Sequence, residues 1–262
     1  MIHIVVNALM LGTISVCALM LLLWLIHFPL RNAAIVDAGW AGGLTLLAAI
    51  DATVGGGYRP RALCMAGMAS LWGLRLAMYL LFTRVIGHPE EGRYVQLRRD
   101  WGGNLALKFL LFFEFQALLC VVLSLPFLLA AINTRPRLSV FEYCAMVLWL
   151  LAWLGETTAD WQLMRFKSDP AHRGGLCHVG LWKFSRHPNY FFELLIWVSF
   201  ALFALGSPFG YLGVLSPLLM VYFLFRVTGI PATEAQALRS KGETYRQYQR
   251  TTSAFVPWFP RS

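Results

Sequence analysis

The residues best suited to chemistry lie in one segment, residues 155–197. Glu156 and Asp160 are four residues apart, so both carboxylates share one face of a helix. The cations Arg165 and Lys167 follow, and a glycine-containing loop leads to the sequence SRHPNY. Cations and backbone N–H groups bind phosphate, whereas carboxylates and amides bind ribose hydroxyls and carboxamides. The segment therefore predicts a pocket for a phosphorylated cofactor, and an ordinary basic loop between capped helices is the alternative.

A second group of candidates consists of ionisable residues inside apolar stretches. A charged side chain in a bilayer costs at least about 2.5–3.5 kcal/mol, so each one requires a partner or a function. Asp37, in VDAGW, and Arg75, in WGLRLAMYL, are placed to meet across adjacent helices. Such a pair either fixes the helix register or contains an acid that burial keeps protonated, ready to donate a proton. Asp51 and Glu142 are expected at the membrane interface.

The elements that position these residues follow from the composition. Of the 262 residues, 58% are hydrophobic and only 13% are charged, and the mean hydropathy is +0.60. A soluble domain has about 25% charged residues. The composition excludes a soluble enzyme, a disordered chain and, despite the isoelectric point of 9.6, a nucleic-acid-binding domain. The chain is predicted to be an integral membrane protein.

Seven apolar stretches approach the length of about 20 residues that a helix needs to cross a bilayer. We expect a single all-α, polytopic membrane domain with about seven transmembrane helices. The predicted spans are Ile4–Phe28, Ala33–Val54, Ala62–Phe82, Leu107–Ile132, Ser139–Ala159, Tyr190–Leu205 and Phe209–Val227, the last two joined by a tight turn.

The distribution of basic residues predicts the orientation in the membrane. With seven spans, sixteen of the 22 Lys and Arg residues fall on one face and four on the other. The positive-inside rule places the C-terminus in the cytoplasm and the N-terminus outside. An even number of spans would break this asymmetry. The basic residues also face anionic lipid, so part of the net charge of +9 serves topology alone.

Motifs along nearly the whole chain resemble the steroid 5-alpha-reductase family. The resemblance is to its bacterial branch in particular, which was long catalogued as a domain of unknown function, and this branch implies the bacterial inner membrane. The RHPNY element is shared with membrane methyltransferases that modify prenylcysteine or phospholipid amines, so the whole set is more specific than RHPNY alone. The set comprises VDAGW, GLRLAMYLLFTR, PEEGRY, ADWQLMRFK, GLWKFSRHPNYFFE and GETYRQYQRTTSAFVP.

The resemblance implies a seven-helix fold that binds NADPH in its C-terminal half and reduces a carbon–carbon double bond conjugated to a ketone. Residues 1–132 would supply the substrate-side helices, and residues 139–262 would form the cofactor-binding half. The candidate cofactor-binding residues are Glu156, Asp160, Arg165, Lys167, Arg186, His187, Asn189, Tyr190, Glu193, Tyr245 and Tyr248.

The candidate catalytic residues are Asp37, Arg75 and Tyr94. In the eukaryotic steroid reductases, a Gln-Glu pair and a Tyr polarise the substrate ketone. At the matching positions this chain has Val36, Asp37 and, near the Tyr position, Trp72. The resemblance thus implies a lipophilic enone, steroid-like or another lipid. Asp37 is expected to be protonated and to hydrogen-bond the carbonyl oxygen.

Two other classes of function remain open on the sequence. A membrane methyltransferase that uses S-adenosylmethionine would share the RHPNY pocket. A transporter or other non-enzymatic membrane protein would use the buried charges as a relay, although no internal repeat points to one. The expected partners are a lipophilic small molecule and membrane lipid, without nucleic acid or a metal site. The sequence does not predict the oligomeric state.

Overall fold

The computed structural model describes residues 2–172, 174–227 and 229–260, and those ranges contain helices and turns without a strand. Six helical segments within them are long and apolar enough to cross a membrane: Ile2–Leu30, Ile35–Val54, Arg59–Val85, Leu105–Leu123, Val140–Ser168 and Gly210–Lys241. A further apolar helix, Pro188–Ala204, has 17 residues and is shorter than these. The protein is an all-helical polytopic membrane protein, and this short helix corresponds to the predicted sixth span.

The chain forms two compact units, one made of Met1–Glu142 with Phe203–Gly213 and the other of Tyr143–Leu202 with Val214–Ser262. The helices of the first are α1 (Ile2–Leu30), α2 (Ile35–Val54), α3 (Arg59–Leu80), α4 (Gly92–Trp101), α5 (Leu105–Leu123) and α6 (Leu125–Ala131). Those of the second are α7 (Val140–Ser168, which begins in the first unit), α8 (Pro188–Ala204), α9 (Leu215–Tyr222), α10 (Ile230–Lys241) and α11 (Glu243–Thr251).

Helix α2 is the central helix of the first unit and packs against α1, α3, α5 and α6. Small residues allow this packing, as is common between membrane helices. A Cβ atom at Gly73 of α3 would lie 2.8 Å from the carbonyl oxygen of Ala41 in α2. This close approach holds the first turn of α2, which carries Asp37, in a fixed position relative to α3.

The predicted spans have different ends in the structure, and two of them illustrate the causes. The stretch Leu107–Ile132 is divided at Ser124 into α5 and α6, because Pro126 lacks an N–H group and its ring clashes with the preceding turn of a helix. The stretch Ser139–Ala159 continues as a helix to Ser168. Glu156 and Asp160 therefore lie inside α7 rather than at its end.

Glu142, which was expected at the interface, is fully buried in the first unit. Its carboxylate pairs with the Arg61 guanidinium, whose Nη1 also donates to the carbonyl oxygens of Asn133 (3.2 Å) and Arg135 (2.7 Å). Asp51 is buried as well. The loop after α6 supplies the carbonyl oxygens that bind Arg61. Hydropathy does not reveal this arrangement.

In the second unit, α8 begins at Pro188, two residues before the predicted Tyr190, with proline in the first helical position, where its missing N–H costs nothing. Polar helices α10 and α11 follow the last apolar segment and pack against each other. Tyr245 and Tyr248 form the buried face of α11. These two helices bring the C-terminal tail back to the start of α8.

Candidate functional site

A cluster around Asp37 forms the polar centre of the first unit. The Tyr94 hydroxyl donates a hydrogen bond of 2.7 Å to Asp37 Oδ1, and Arg93 pairs with Oδ2. Arg84 Nη1 lies 3.9 Å from the same Oδ2. Asp37 stands in the first turn of α2, Arg84 in the π-helical turn that follows α3, and the other two in the first turn of α4. Three elements thus converge on one carboxylate.

The PEEGRY sequence positions this cluster. Glu91 lies between the two arginines, with oxygens 3.1 Å from Arg84 Nε and 3.2 Å from Arg93 Nε. Glu90 accepts the backbone N–H of Ala33 at 2.8 Å, just before α2. A carboxylate at a helix N-terminus satisfies an N–H group that has no partner within the helix. The two glutamates therefore fix α4 against the start of α2.

Tyr94 is the most deeply buried member of the cluster, with 1% of its surface exposed. Burial raises the pKa of its phenol well above the usual range, and the neighbouring Asp37 charge acts in the same direction. The Arg93 guanidinium lies 4.7 Å from the ring centroid. The phenol therefore keeps its proton at neutral pH and donates it to Asp37 Oδ1.

The sequence analysis associated Asp37 with Arg75 and Tyr94. The structure brings Tyr94 to Asp37 and supplies Arg84 and Arg93 as its cations. Arg75 lies half-buried in α3, and its catalytic role stays a prediction. Arg93 was missed because it lies outside the predicted spans, and its place in the sequence does not show how close it comes to α2.

In the second unit, the RHPNY sequence takes part in a network with α10 and α11. Arg186 Nε donates to Glu234 Oε1 at 2.7 Å, and its Nη1 donates to the carbonyl oxygens of Gln249 (3.0 Å) and Thr252 (2.6 Å). His187 Nε2 lies 3.2 Å from the same Glu234 oxygen. The guanidinium of Arg186, a candidate cofactor-binding residue, thus already binds the C-terminal segment.

His187 and Tyr190 lie together on one side of this network. Their rings stack in parallel, with centroids 5.3 Å apart, and the Tyr190 hydroxyl is 3.2 Å from Thr233 Oγ1. Glu234 also accepts a hydrogen bond of 2.8 Å from Gln249. Glu234 connects α8, α10 and α11, and it was missed because nothing in its local sequence distinguishes it from a solvated acid.

Tyr245 and Tyr248, both candidate cofactor-binding residues, are buried inside the fold of the second unit. The Tyr248 hydroxyl donates to the Trp182 carbonyl oxygen and is 3.2 Å from that of Ser185. Tyr245 packs against it with ring centroids 5.9 Å apart. Burial raises the pKa of both phenols. They hold the turn Gly180–Lys183 and its neighbours against α11.

Three carboxylates of the second unit are buried: Glu156, Asp160 and Glu193. Asn189 Nδ2 donates to Asp160 Oδ1 at 3.3 Å, and Trp197 Nε1 donates to Glu193 Oε1 at 2.9 Å. The structure thus brings together four of the predicted cofactor-binding residues on the two neighbouring helices α7 and α8. An amide and three carboxyl groups in apolar helices can bind hydroxyl groups or a carboxamide.

The predicted phosphate-binding cations lie at the end of α7. Arg165 and Lys167 are both exposed, and the Arg165 guanidinium lies 5.4 Å from the Trp161 ring centroid. Lys167 and Lys241 act on Cys177, where their charges oppose the rise that burial causes in the thiol pKa. Lys241, which also donates to the Gly175 carbonyl oxygen, is a further cation that the sequence analysis did not select.

The fold and these clusters define a polytopic helical membrane protein with one polar centre in each unit. The chain belongs to the protein family of unknown function DUF1295, which matches residues 23–252 and so includes both centres. The chain is 26% identical over 269 residues to an uncharacterized protein of Schizosaccharomyces pombe, across 90% of this chain and 75% of that protein. No solved structure matches the chain.

Proposed function

We propose that this protein is a membrane oxidoreductase that transfers hydride from NADPH to the conjugated carbon–carbon double bond of a lipophilic enone. The observation that carries the proposal is the hydrogen bond between Asn189 and Asp160, beside the buried Glu156 and Glu193. Carboxyl and amide groups are costly to bury in apolar helices, and ionisable residues within membrane helices commonly mark a functional site. Membership of DUF1295, together with the motifs that resemble the steroid 5-alpha-reductases, supports the same reaction class.

The residues of the second unit fit NADPH by their chemistry. The buried amide and carboxylates suit its carboxamide and ribose hydroxyls, and Arg165, Lys167 and Lys241 suit its phosphates. The buried indole N–H groups of Trp149 and Trp153 have no hydrogen-bond acceptor among the described residues. Unpaired buried donors are rare in proteins, and a ligand with acceptor oxygens would satisfy them.

Arg186 and His187 have a positioning role in this proposal. Both bind Glu234, and Arg186 also binds the segment after α11. They would keep the start of α8, and with it Asn189, in a fixed place. Asn189 and Glu193 would then orient the carboxamide, while the exposed cations hold the phosphates.

Carbonyl polarisation is assigned to the first unit. The residues assigned above would hold NADPH, which would supply a hydride for the β carbon of the enone. The one Tyr94 O–H group, which donates to Asp37 Oδ1 in the free protein, turns to the carbonyl oxygen of the substrate and stabilises the enolate, and water supplies the proton for its α carbon. Donors aimed at developing charge are among the largest contributions to catalysis. In the free protein Asp37, paired with Arg93, accepts this hydrogen bond and holds the Tyr94 hydroxyl in place until the substrate binds.

The proposal includes an orientation. In it the C-terminus and the cations of the second unit face the cytoplasm, where NADPH is supplied, and the sixteen basic residues on one face support this orientation. The enone partitions into the bilayer and reaches the protein from the lipid.

The test is cofactor binding by the full-length protein in detergent. A ligand at 100 times its Kd adds about 2.7 kcal/mol of stability, so NADPH should raise the apparent Tm by several degrees. Asn189→Ala should weaken NADPH binding on the order of tenfold, because one hydrogen bond to a buried ligand is lost. Gln247→Ala, on the exposed side of α11, should bind as the unmodified protein does.

The competing function gives the opposite pattern. Stabilisation by S-adenosylmethionine without stabilisation by NADPH would identify a methyltransferase and overturn the proposal. Stabilisation by neither ligand would remove the cofactor assignment from the second unit. NADH should bind more weakly than NADPH, because only the latter carries the additional phosphate for the cations.

A further inference from the structure

A second polar site lies in the first unit, at the end of α1. A cavity of about 180 Å³ is lined there by His27, Phe28, Arg31 and Arg98. Two of the four side chains are arginines, and none is acidic. The cavity is separate from the Asp37 cluster in its lining residues and has no part in the reaction proposed above.

Arg31 has two unusual properties. Its backbone φ is +50°, in the left-handed region that residues other than glycine rarely adopt. Its guanidinium has no hydrogen-bond or ion-pair partner among the described residues. Arg31 directly follows α1, and a left-handed residue at this position commonly ends a helix. Its side chain is exposed and lines the cavity.

Arg98 supplies a second donor but no additional net charge. Its Nε and Nη2 bind the two oxygens of Glu90, at 2.7 Å and 3.0 Å. The third nitrogen, Nη1, has no partner among the described residues. With Arg98 neutralised by Glu90, the uncompensated charge at the cavity is that of Arg31, a single positive charge. A group with one negative charge and several acceptor oxygens is its electrostatic complement.

The side chains around the cavity suit a lipid ligand. The His27 ring forms part of an aromatic wall, 4.1 Å from Phe28 and 5.6 Å from Phe109 between centroids. Leu25, Phe28 and Leu30 on α1 are each exposed by 44% or more. Exposed apolar side chains on a membrane-spanning helix contact acyl chains, and Phe28 belongs both to this set and to the cavity lining.

We infer that this cavity binds the phosphodiester of an anionic phospholipid. Arg31 and Nη1 of Arg98 donate to the phosphate oxygens, Phe28 and the His27 ring pack against the glycerol, and the acyl chains follow α1. The chemistry recognised is a phosphate monoanion, which a soluble phosphate also carries. The apolar surface of α1 assigns the ligand to the lipid.

The experiment uses the full-length protein in mixed micelles of neutral detergent with either phosphatidylglycerol or phosphatidylcholine. The apparent Tm is measured against the mole fraction of lipid. Half-maximal stabilisation should require about tenfold less phosphatidylglycerol than phosphatidylcholine, and Arg31→Gln should abolish this difference. Arg99→Gln is the matched control, because it removes an equal charge from α4 at a residue that does not line the cavity.

A further variant separates binding from folding. Arg31→Gly relieves the left-handed strain, so it should raise the Tm in neutral detergent while it loses the preference for phosphatidylglycerol. An equal loss in Arg31→Gln and Arg99→Gln would show unspecific charge attraction and overturn the site. Inorganic phosphate that gives the same Arg31-dependent stabilisation as phosphatidylglycerol would overturn the assignment to lipid.

Discussion

The phenol of Tyr94 donates to a carboxylate that also pairs with Arg93, and it is almost wholly buried. The carboxylate oxygens fix the direction of the hydroxyl group, and the raised pKa keeps its proton in place. Turning this one O–H group from Asp37 to a substrate oxygen moves only its proton, so little reorganisation is required when charge develops. At the scale of a single residue, this is the strongest candidate for carbonyl polarisation.

Tyr94→Phe should therefore lower kcat/KM for enone reduction by about 10²-fold, as the loss of one such donor does in other enzymes. NADPH binding should change little, since its assigned residues lie in the second unit. Steady-state kinetics and the Tm shift with NADPH measure the two effects separately. Tyr143→Phe, at an exposed position, is the control. Equal losses of kcat/KM and of NADPH binding would indicate a structural role for Tyr94.

Arg61 and Glu142 are a second buried pair, and the structure gives them a purely structural setting. The guanidinium is fully buried and also binds the carbonyl oxygens of Asn133 and Arg135. Breaking a buried ion pair leaves one charge without compensation, which typically costs 3–5 kcal/mol.

Glu142→Gln should destabilise the protein by about 3–5 kcal/mol for that reason. Glu243→Gln breaks an exposed pair with Arg246 and should cost less than about 1 kcal/mol. Thermal unfolding in the same detergent compares the two. If both variants unfold at the same temperature, the Arg61–Glu142 pair does not contribute as its burial predicts.

At the scale of elements, α7 and α8 pack closely at Gly155. A Cβ atom there would overlap three ring carbons of Phe192. Gly155 is next to Glu156 and Phe192 is next to Glu193, so the contact fixes the distance between the two helices that carry the buried carboxylates. Glycine is needed at this position for its size.

Gly155→Ala should consequently destabilise the protein by about 1–3 kcal/mol through overpacking. Gly67→Ala is a matched control on α3, where a Cβ atom meets nothing within 4 Å. That variant should be neutral or gain about 0.5–1 kcal/mol, because alanine favours the helix. Similar Tm values for the two variants would contradict the close packing.

The sequence predicts those elements whose cause is local. Hydropathy locates the spans, Pro188 predicts the start of α8, and the i, i+4 spacing places Glu156 and Asp160 on one face. Partners distant in the chain are not predicted: Arg93 pairs with Asp37 across 56 residues, and Arg186 with Glu234 across 48. Choosing them requires the tertiary fold, because many exposed acids and bases have similar local sequences.

At the scale of the whole molecule, the charge asymmetry predicts which loops face the cytoplasm. In a cysteine-free background, Thr134→Cys should react with a membrane-impermeant thiol reagent on intact cells. Arg99→Cys should react only after permeabilisation. Both positions are exposed, so access and not burial decides the result. The reverse pattern would show that the positive-inside rule fails for this chain.

The segment Phe203–Gly213 belongs to the first unit, although the chain on either side of it belongs to the second. Asn133 Nδ2 donates to Gly206 O at 3.1 Å and to Ser207 Oγ at 3.0 Å. The order of synthesis follows from this. A ribosome adds residues 143–202 before it supplies Gly206 and Ser207, the acceptors for Asn133. The first unit, whose synthesis begins earlier, therefore forms its last hydrogen bonds only after most of the chain has been translated.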